Sequence, residues 1–462
     1  MRHRWLRILV LCAGYVLLAG GPRGLLAADK PSAASALLWQ SASNRVDARI
    51  SGWPLDKVLG RISRATGWEI FVEPGMERPI NATFTGLPPQ QALSRLLGGL
   101  SFSLQPRPGA AARLLIYQND RDRATRRVED PQRPGRIPNE LIVRLKPGSK
   151  VSIEQLAREL GGKVIGKVDK LNAYRLQFET AEAAEAARKM LEARTDDIAK
   201  VENNYRWEPP TEMETGASPP SPAPALKPRI SPDGKNLVVA IIDTATQPLS
   251  PEHEAFILSR TDVVPGQPAD DGPWHGTAMA ETFLQGLGST DNMEAGSNVR
   301  LRLYNTYGAN ESATTFDVTR AVFQAAQDGA TILSMSLAGP DRSPVLSDAL
   351  QSFVQQGGLV FAAAGNDGSN LPLSPASDPW VIAVSGVDGN QQRMPWANYS
   401  STVDVGASGT SIISFGGMNW IITGTSPATA LAAGMGAGYA SRTGSPLSTV
   451  RNVIVRDLPF YP

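Results

Sequence analysis

From Asn236 onward the chain keeps repeating one pattern, short apolar runs separated by helical stretches. The runs are Leu237–Ile242, Leu301–Tyr304, Thr331–Leu337, Leu359–Ala363 and Val381–Val384, all but one rich in β-branched residues. Ser312–Asp328 and Ser347–Gln356 are two of the helical stretches between them. Strands that are apolar on both faces and alternate with helices belong to a parallel sheet covered on both sides. The C-terminal half is therefore expected to be a three-layer α/β domain, with any site just past the carboxyl ends of the strands.

The residues at those ends carry chemistry. Asp243 directly follows Ile242, and His275 opens a helix at His275-Gly276-Thr277-Ala278-Met279. Asn366 follows Ala362-Ala363-Ala364-Gly365, and Ser426 lies in Thr423-Gly424-Thr425-Ser426-Pro427-Ala428-Thr429. A serine hydroxyl is a poor nucleophile until an imidazole takes its proton, and the imidazole needs a carboxylate to fix its tautomer. The oxyanion that follows needs donors already in place, which a side-chain amide and a backbone N–H supply. Composition narrows the choice of base, because the chain has three histidines and one cysteine. His3 and Cys12 fall in an N-terminal segment expected to be removed. What remains has no thiol and too few imidazoles for a multi-histidine metal centre, so a histidine base must be His275 or His253. His253, in Pro251-Glu252-His253, reads as a surface loop residue.

Five motifs in order make the chain resemble the subtilases, the subtilisin-like serine proteases, over Asn236–Pro462. They are Val239-Ala240-Ile241-Ile242-Asp243-Thr244, His275-Gly276-Thr277, Ser334-Met335-Ser336-Leu337, Ala363-Ala364-Gly365-Asn366 and Gly424-Thr425-Ser426-x-Ala428-Thr429. The resemblance implies Ser426 as nucleophile, His275 as general base and acid, and Asp243 as the orienting carboxylate. It implies Asn366 and the Ser426 backbone N–H as the oxyanion hole, and Ser336, Leu337, Ala338, Gly339, Ala364 and Gly365 as the substrate-binding wall. The methyl of Ala338, where the family has glycine, is expected to narrow the pocket for the residue before the scissile bond. Other departures are Ala245, Ala278, Pro427 after the nucleophile, and Glu281 in place of a helix glycine expected to serve close packing. No cofactor is required. Calcium, common in subtilases, is left open at Asp270, Asp271 and Asp378, which lack the spacing of a calcium loop.

Ahead of this domain the chain divides further. Residues 1–28, with Arg2, Arg4 and Arg7 before an uncharged stretch from Ile8 to Ala19, read as a secretory signal peptide. Residues 46–118 contain an internal repeat at a spacing of 34, in which Gly52, Pro54, Leu59 and Arg61 recur as Gly86, Pro88, Leu93 and Arg95. Each copy reads as strand, helix, strand, and two copies are expected to make one small α+β domain. Its layout resembles the short N-terminal domain of secretins and TonB-dependent receptors, which implies contact with an outer-membrane or periplasmic partner protein. A linker is expected over 119–136. Residues 137–207 follow the order β-α-β-β-α-β of a ferredoxin-like plait. A Pro-rich linker is expected over 208–235, and the α/β domain covers 236–462. Subtilases commonly carry a ferredoxin-like propeptide, so the resemblance makes 137–207 an inhibitory propeptide. Self-cleavage is expected in the linker after Asn203, leaving a mature chain that begins near Ile230.

The expected protein is a periplasmic or secreted serine endopeptidase made as a zymogen, acting on protein or peptide substrates and bound by its own propeptide. The alternatives are a catalytically inactive pseudo-protease that serves as an envelope protein-binding module, and an acyl hydrolase acting on esters. A net charge of +1 argues against a nucleic-acid partner, and no integral membrane segment is expected once the signal is removed.

Overall fold

The structure is a computed structural model that describes residues 36–40, 45–66, 68–73, 76, 78–107, 110–118, 120–121, 124, 126–128, 135–207, 212–216, 226–230, 236–268, 272–290, 296–310, 312–339, 343–370 and 372–461. The expected signal peptide lies outside these residues.

Seven parallel strands form the sheet of the C-terminal domain, in the spatial order Ile257–Asp262, Val299–Asn305, Leu237–Asp243, Ile332–Met335, Leu359–Ala363, Ile382–Val387 and Val405–Ser408. Every neighbouring pair runs parallel. Successive side chains of a strand point to opposite faces, and the central strand shows the result. Val239 and Ile241 belong to one core, packed under the helices His275–Thr290, Thr425–Thr443 and Leu447–Asp457. Ala240 and Ile242 belong to a second core, under Thr315–Gln327 and Pro344–Gln355. The two cores make the domain three-layered.

Two register facts position the site. Ile242 lies opposite Met335, and Met335 opposite Ala362. Asp243, Ser336 and Ala363 therefore reach the carboxyl edge level with one another on three adjacent strands, each about 5 Å from the next. Above the sheet the His275 and Ser426 helices cross backbone to backbone. A Cβ on Gly286 would lie 2.3 Å from the Leu431 carbonyl oxygen, and one on Gly434 would lie 2.1 Å from that of Phe283.

The middle domain has strands Arg136–Leu145, Gly162–Val168, Ala173–Phe178 and Ile198–Trp207 and helices Ile153–Glu159 and Ala181–Glu192. Its strands pair antiparallel in the order fourth, first, third, second, which is a βαββαβ plait. Ser152 and Thr180 cap its helices by accepting from the backbone N–H groups of Gln155 and Ala183. The sheet gains a fifth strand from the C-terminal domain, Ala313–Thr314, paired with Arg206 and Trp207.

In the N-terminal domain the repeat becomes a local pseudo-twofold. Asp47 and Asn81 are separated by 34 positions, as are Gly52 and Gly86. The Gly52 N–H donates to Asn81 Oδ1 (2.8 Å) and the Gly86 N–H donates to Asp47 Oδ1 (2.6 Å). Both glycines have positive φ, +68° and +65°, which favours glycine. The helices Leu55–Thr66 and Pro89–Leu97 share one core with strands of both copies.

Two boundaries differ from the sequence reading. The N-terminal domain runs from Ala36 to Val128, because Arg126–Arg127 pairs with Phe71–Val72 and Val128 is buried in the same core. The Pro-rich stretch 208–235 is not featureless either: Glu212–Gly216 is a strand paired antiparallel with Met418–Thr423. Period-based reading missed it because pairing with a distant strand needs no local pattern. Among the described residues, no helix is long and apolar enough to cross a membrane.

Candidate active site

At the end of its strand, Asp243 is buried, and its Oδ1 accepts the Thr244 N–H at 2.6 Å. The same oxygen lies 2.6 Å from His275 Nδ1. A carboxylate on Nδ1 leaves Nε2 to face a reacting group, the arrangement a histidine base requires. The start of the His275 helix is clamped from the adjoining loop. Thr244 Oγ1 accepts the Gly276 N–H at 2.8 Å. Gln247 Oε1 accepts both the Trp274 N–H (2.9 Å) and the Thr277 hydroxyl (3.0 Å), while its Nε2 donates to the Gly272 carbonyl (3.1 Å). Gln247 escaped the sequence reading because nothing in its spacing marks it.

Ser426 is fully buried at the start of its helix and is tied to the neighbouring strand end. Its hydroxyl donates to the Ser336 carbonyl (3.3 Å), and the Ser336 hydroxyl donates to the Ser426 carbonyl (3.1 Å). One strand further along, Asn366 Oδ1 accepts the Thr425 N–H at 2.8 Å, and the Gly365 N–H donates to Thr425 Oγ1 at 3.1 Å. The Asn366 amide is thereby held beside the residue preceding Ser426. Asn398 supports the loop, donating to the Ala364 carbonyl (2.9 Å) and accepting the N–H groups of Asp367 and Ser369 (both 3.0 Å). Asp243, Ser336 and Asn366 thus stand at or just past the ends of three adjacent strands, with His275 bonded to the first and Ser426 to the second.

A family profile for the subtilases matches residues 234–458, and one for the fervidolysin N-terminal prodomain matches residues 124–204. Subtilisin Savinase of Lederbergia lenta is 30% identical over 207 residues, which cover 44% of this chain and 76% of that protein. This chain belongs to the subtilase family. The thermophilic serine proteinase of Bacillus sp. (strain AK1) is 31% identical over 209 residues, covering 44% of this chain and 52% of that protein. The alkaline protease of Alkalihalobacillus alcalophilus is 30% identical over 207 residues, covering 44% and 54%. The chain spans about half the length of the first curated relatives it matches. The crystal structure of fervidolysin from Fervidobacterium pennivorans shares the fold, at a TM-score of 0.55 and 17% identity, over 70% of this chain and 57% of that one.

Next to the subtilase site, a slot formed at Gly339 is filled by the plait. A Cβ on Gly339 would lie 2.3 Å from the Trp207 ring, and Trp207 is fully buried. The Trp207 Nε1–H donates to Thr315 Oγ1 at 3.0 Å. Leu337 and Ala338 are buried beside this slot. The sequence reading left Trp207 without a role; it is the last residue of the plait and the one that fills this slot. Two helix starts of the α/β domain also receive plait side chains. Asn204 Oδ1 accepts the Phe316 N–H at 3.1 Å, and its Nδ2 donates to Glu140 at 2.8 Å. Glu202 accepts the Ser343 hydroxyl (2.7 Å) and the Val345 N–H (3.0 Å). Burial there pushes the Glu202 carboxyl up to about 7, against the pull of those two bonds and of Lys200, with Asp348 adding to the rise.

Among the departures from the family pattern, Glu281 has a structural account. It does not face the crossing of the two site helices, where Gly286 and Gly434 make the close contact. Its carboxylate lies 2.7 Å from His253 Nδ1. His253 is therefore not a surface loop residue: it sits in the short helix Pro251–Glu254 and is largely covered. Burial opposes charging its imidazole, but the hydrogen bond and charge of Glu281, with Glu252, hold its pKa above the ordinary value. Asp378 accepts the Ser347 hydroxyl, and Asp270 and Asp271 lie outside the described residues. Among the described residues, no group of three or more His, Cys, Asp or Glu side chains is placed to hold a metal ion.

Proposed function

We propose that this subtilase is a serine endopeptidase made as a zymogen. Ser426 is the nucleophile, His275 its base, Asp243 the orienting carboxylate, and Asn366 with the Ser426 backbone N–H the oxyanion hole. The observation that carries this reading is the 2.6 Å pair of His275 and Asp243 at the strand edge level with Ser336, to which Ser426 is bonded in both directions. In the reaction the Ser426 hydroxyl leaves the Ser336 carbonyl and gives its proton to His275 Nε2 as Oγ attacks the scissile carbonyl. The imidazolium, stabilised by Asp243, then protonates the leaving amine. Ser336, Leu337, Ala338, Gly339, Ala364 and Gly365 line the substrate cleft, with the Ala338 methyl disfavouring bulky aromatics before the scissile bond.

The plait is the inhibitory propeptide. Arg206 and Trp207 add to Ala313–Thr314. Glu212 pairs with Thr423, three positions before Ser426. Self-cleavage, expected in the linker after Asn203, is assigned to a bond between Trp207 and Glu212. A mature start near Ile230 would discard residues built into the α/β domain: Leu226 is buried in its core, and the Arg229 side chain donates to the carbonyls of Gly296 and Ser441. Residues 1–28 act as an export signal to the periplasm or beyond. The N-terminal domain resembles the secretin-type module and is read as a recognition domain.

The deciding experiment is a pair, the wild-type chain and Ser426→Ala, each treated with a fluorophosphonate probe and assayed on casein and on short esters. Wild type is expected to label at Ser426 and to cleave casein. Ser426→Ala is expected to lose labelling, self-processing and peptide hydrolysis on the order of 10⁶-fold, the size seen on removing the nucleophile of subtilisin. An unlabelled, inert wild-type chain would leave the pseudo-protease reading, and ester cleavage without casein cleavage the acyl-hydrolase one.

A further inference from the structure

Upstream of the plait, the N-terminal domain has a core of its own, yet it touches the α/β domain at one informative place. Arg61, on the helix Leu55–Thr66, reaches Asp367 with 3.5 Å between Nη1 and Oδ1, and the Asp367 side chain is only 9% exposed. Leu38, on the strand Ala36–Gln40, lies over the next residue, its Cδ2 3.8 Å from where a Gly368 Cβ would sit. Asp367 and Gly368 directly follow Asn366. Their turn is pinned to the α/β domain by the Asp367 N–H on Asn398 Oδ1 (3.0 Å) and the Gly368 N–H on the Trp396 carbonyl (2.7 Å).

We propose that the N-terminal domain is a second grip of the inhibitory prosegment, seated through Arg61 and Leu38 on the Asp367–Gly368 turn beside the oxyanion-hole asparagine. The inference rests on the proteolytic reading above. Its partner is this chain's own α/β domain, joined covalently before processing and held by contacts alone afterwards. The plait grips at Gly339, Thr315 and Ser343; the N-terminal domain adds a separate point of attachment on the Asn366 loop. Residues 129–135 join the two domains, and such a short tether raises the effective concentration of the second contact once the first has formed. Removing one member of an ion pair whose partner is nearly buried leaves an uncompensated charge, a larger loss than breaking an exposed pair, and reversing one charge turns the attraction into repulsion. In that arrangement a cleaved prosegment leaves slowly, because both grips must open together.

Two measurements on the full chain test this. In a Ser426→Ala background, Arg61→Asp is expected to speed hydrogen exchange of residues 364–370 about tenfold or more, leaving Ala313–Thr314 under the plait unchanged. The charge swap Arg61→Asp with Asp367→Arg is expected to restore protection, and the milder Arg61→Gln to give a smaller increase should Arg61→Asp fold poorly. Unchanged exchange in Arg61→Asp and Arg61→Gln overturns the grip and returns the Arg61 face to an envelope partner outside this chain. In the chain that retains Ser426, the lag before peptide hydrolysis appears is expected to shorten about tenfold in Arg61→Asp. An unaltered lag overturns the inhibitory role even where the exchange result holds. A wild-type chain that never hydrolyses peptides sinks the proteolytic reading instead, and the exchange measurement still judges the grip.

Discussion

Two side chains beside the triad candidates show how single residues hold the site. Asn366 presents its oxygen to the Thr425 N–H, which leaves the amide nitrogen as the end able to donate to an oxyanion. Asn366→Leu keeps the volume and removes that donor, so peptide hydrolysis is expected to fall roughly 10²–10³-fold in kcat with folding intact. A kcat within a factor of a few of wild type would remove Asn366 from the oxyanion hole. Gln247 acts at one remove, bracing residues 272, 274 and 277 on both sides of His275. Gln247→Ala is expected to lower kcat about tenfold to a hundredfold through a misplaced imidazole, with little change in KM. Gln247→Glu keeps the two acceptor contacts and should recover part of the loss. Equal loss in both variants, or a change confined to KM, would assign Gln247 a merely structural role.

Helices and strands respond to different forces. The crossing of the His275 and Ser426 helices depends on backbone contact at Gly286 and Gly434, with no space for a methyl. Gly434→Ala must push the helices apart, and a stability loss of about 3 kcal/mol or more is expected by chemical denaturation; a wild-type midpoint would show that the crossing can relax. The last strand of the plait brings a titrating group to its interface. Glu202 has a carboxyl raised to about 7 in the joined state, against 4.5 as its ordinary value. The joined state therefore holds the proton more tightly than the separated one. Prosegment affinity is expected to be greatest below about 4.5, to weaken by roughly 10–100-fold as pH rises towards about 7, and to level off above that. Lys200 and Asp348 face the same carboxyl, and Asp348 is itself paired with Arg144. Glu202→Gln should flatten the profile across this window, measured as prosegment dissociation against pH, and an unchanged slope would place the pH dependence elsewhere.

For the whole molecule, the proposed self-cleavage is tested by where the chain is cut. Trp207 is anchored in the Gly339 slot and Glu212 is paired with Thr423, so intact-mass analysis should find a new terminus between them in wild type and none in Ser426→Ala. A first product ending at Asn203 would place the cut inside the last plait strand and overturn this assignment. Trp207→Ala empties the slot and is expected to weaken the prosegment by about 2 kcal/mol or more, as for a buried aromatic anchor at an interface. Release would then begin earlier, which a continuous peptide-hydrolysis assay would read as a shorter lag.

Much of this architecture was legible before any coordinates. The parallel sheet follows from runs apolar on both faces, the plait from local periods in 141–203, and the doubled N-terminal unit from its 34-residue spacing, since each is encoded in neighbouring residues. Asp243, His275, Asn366 and Ser426 could be picked out as candidates from their motifs at strand ends and helix starts, and the structure pairs His275 with Asp243 and sets Asn366 against Thr425. Tertiary structure alone decided what lies between distant segments: Trp207 in the Gly339 slot, the strand Glu212–Gly216 on Met418–Thr423, Gln247 around the His275 helix, Glu281 on His253, and Arg61 on Asp367. Those contacts have no period and no spacing rule. They depend on which surfaces meet once the sheet, plait and repeat have formed, and that meeting is set by packing across the whole chain.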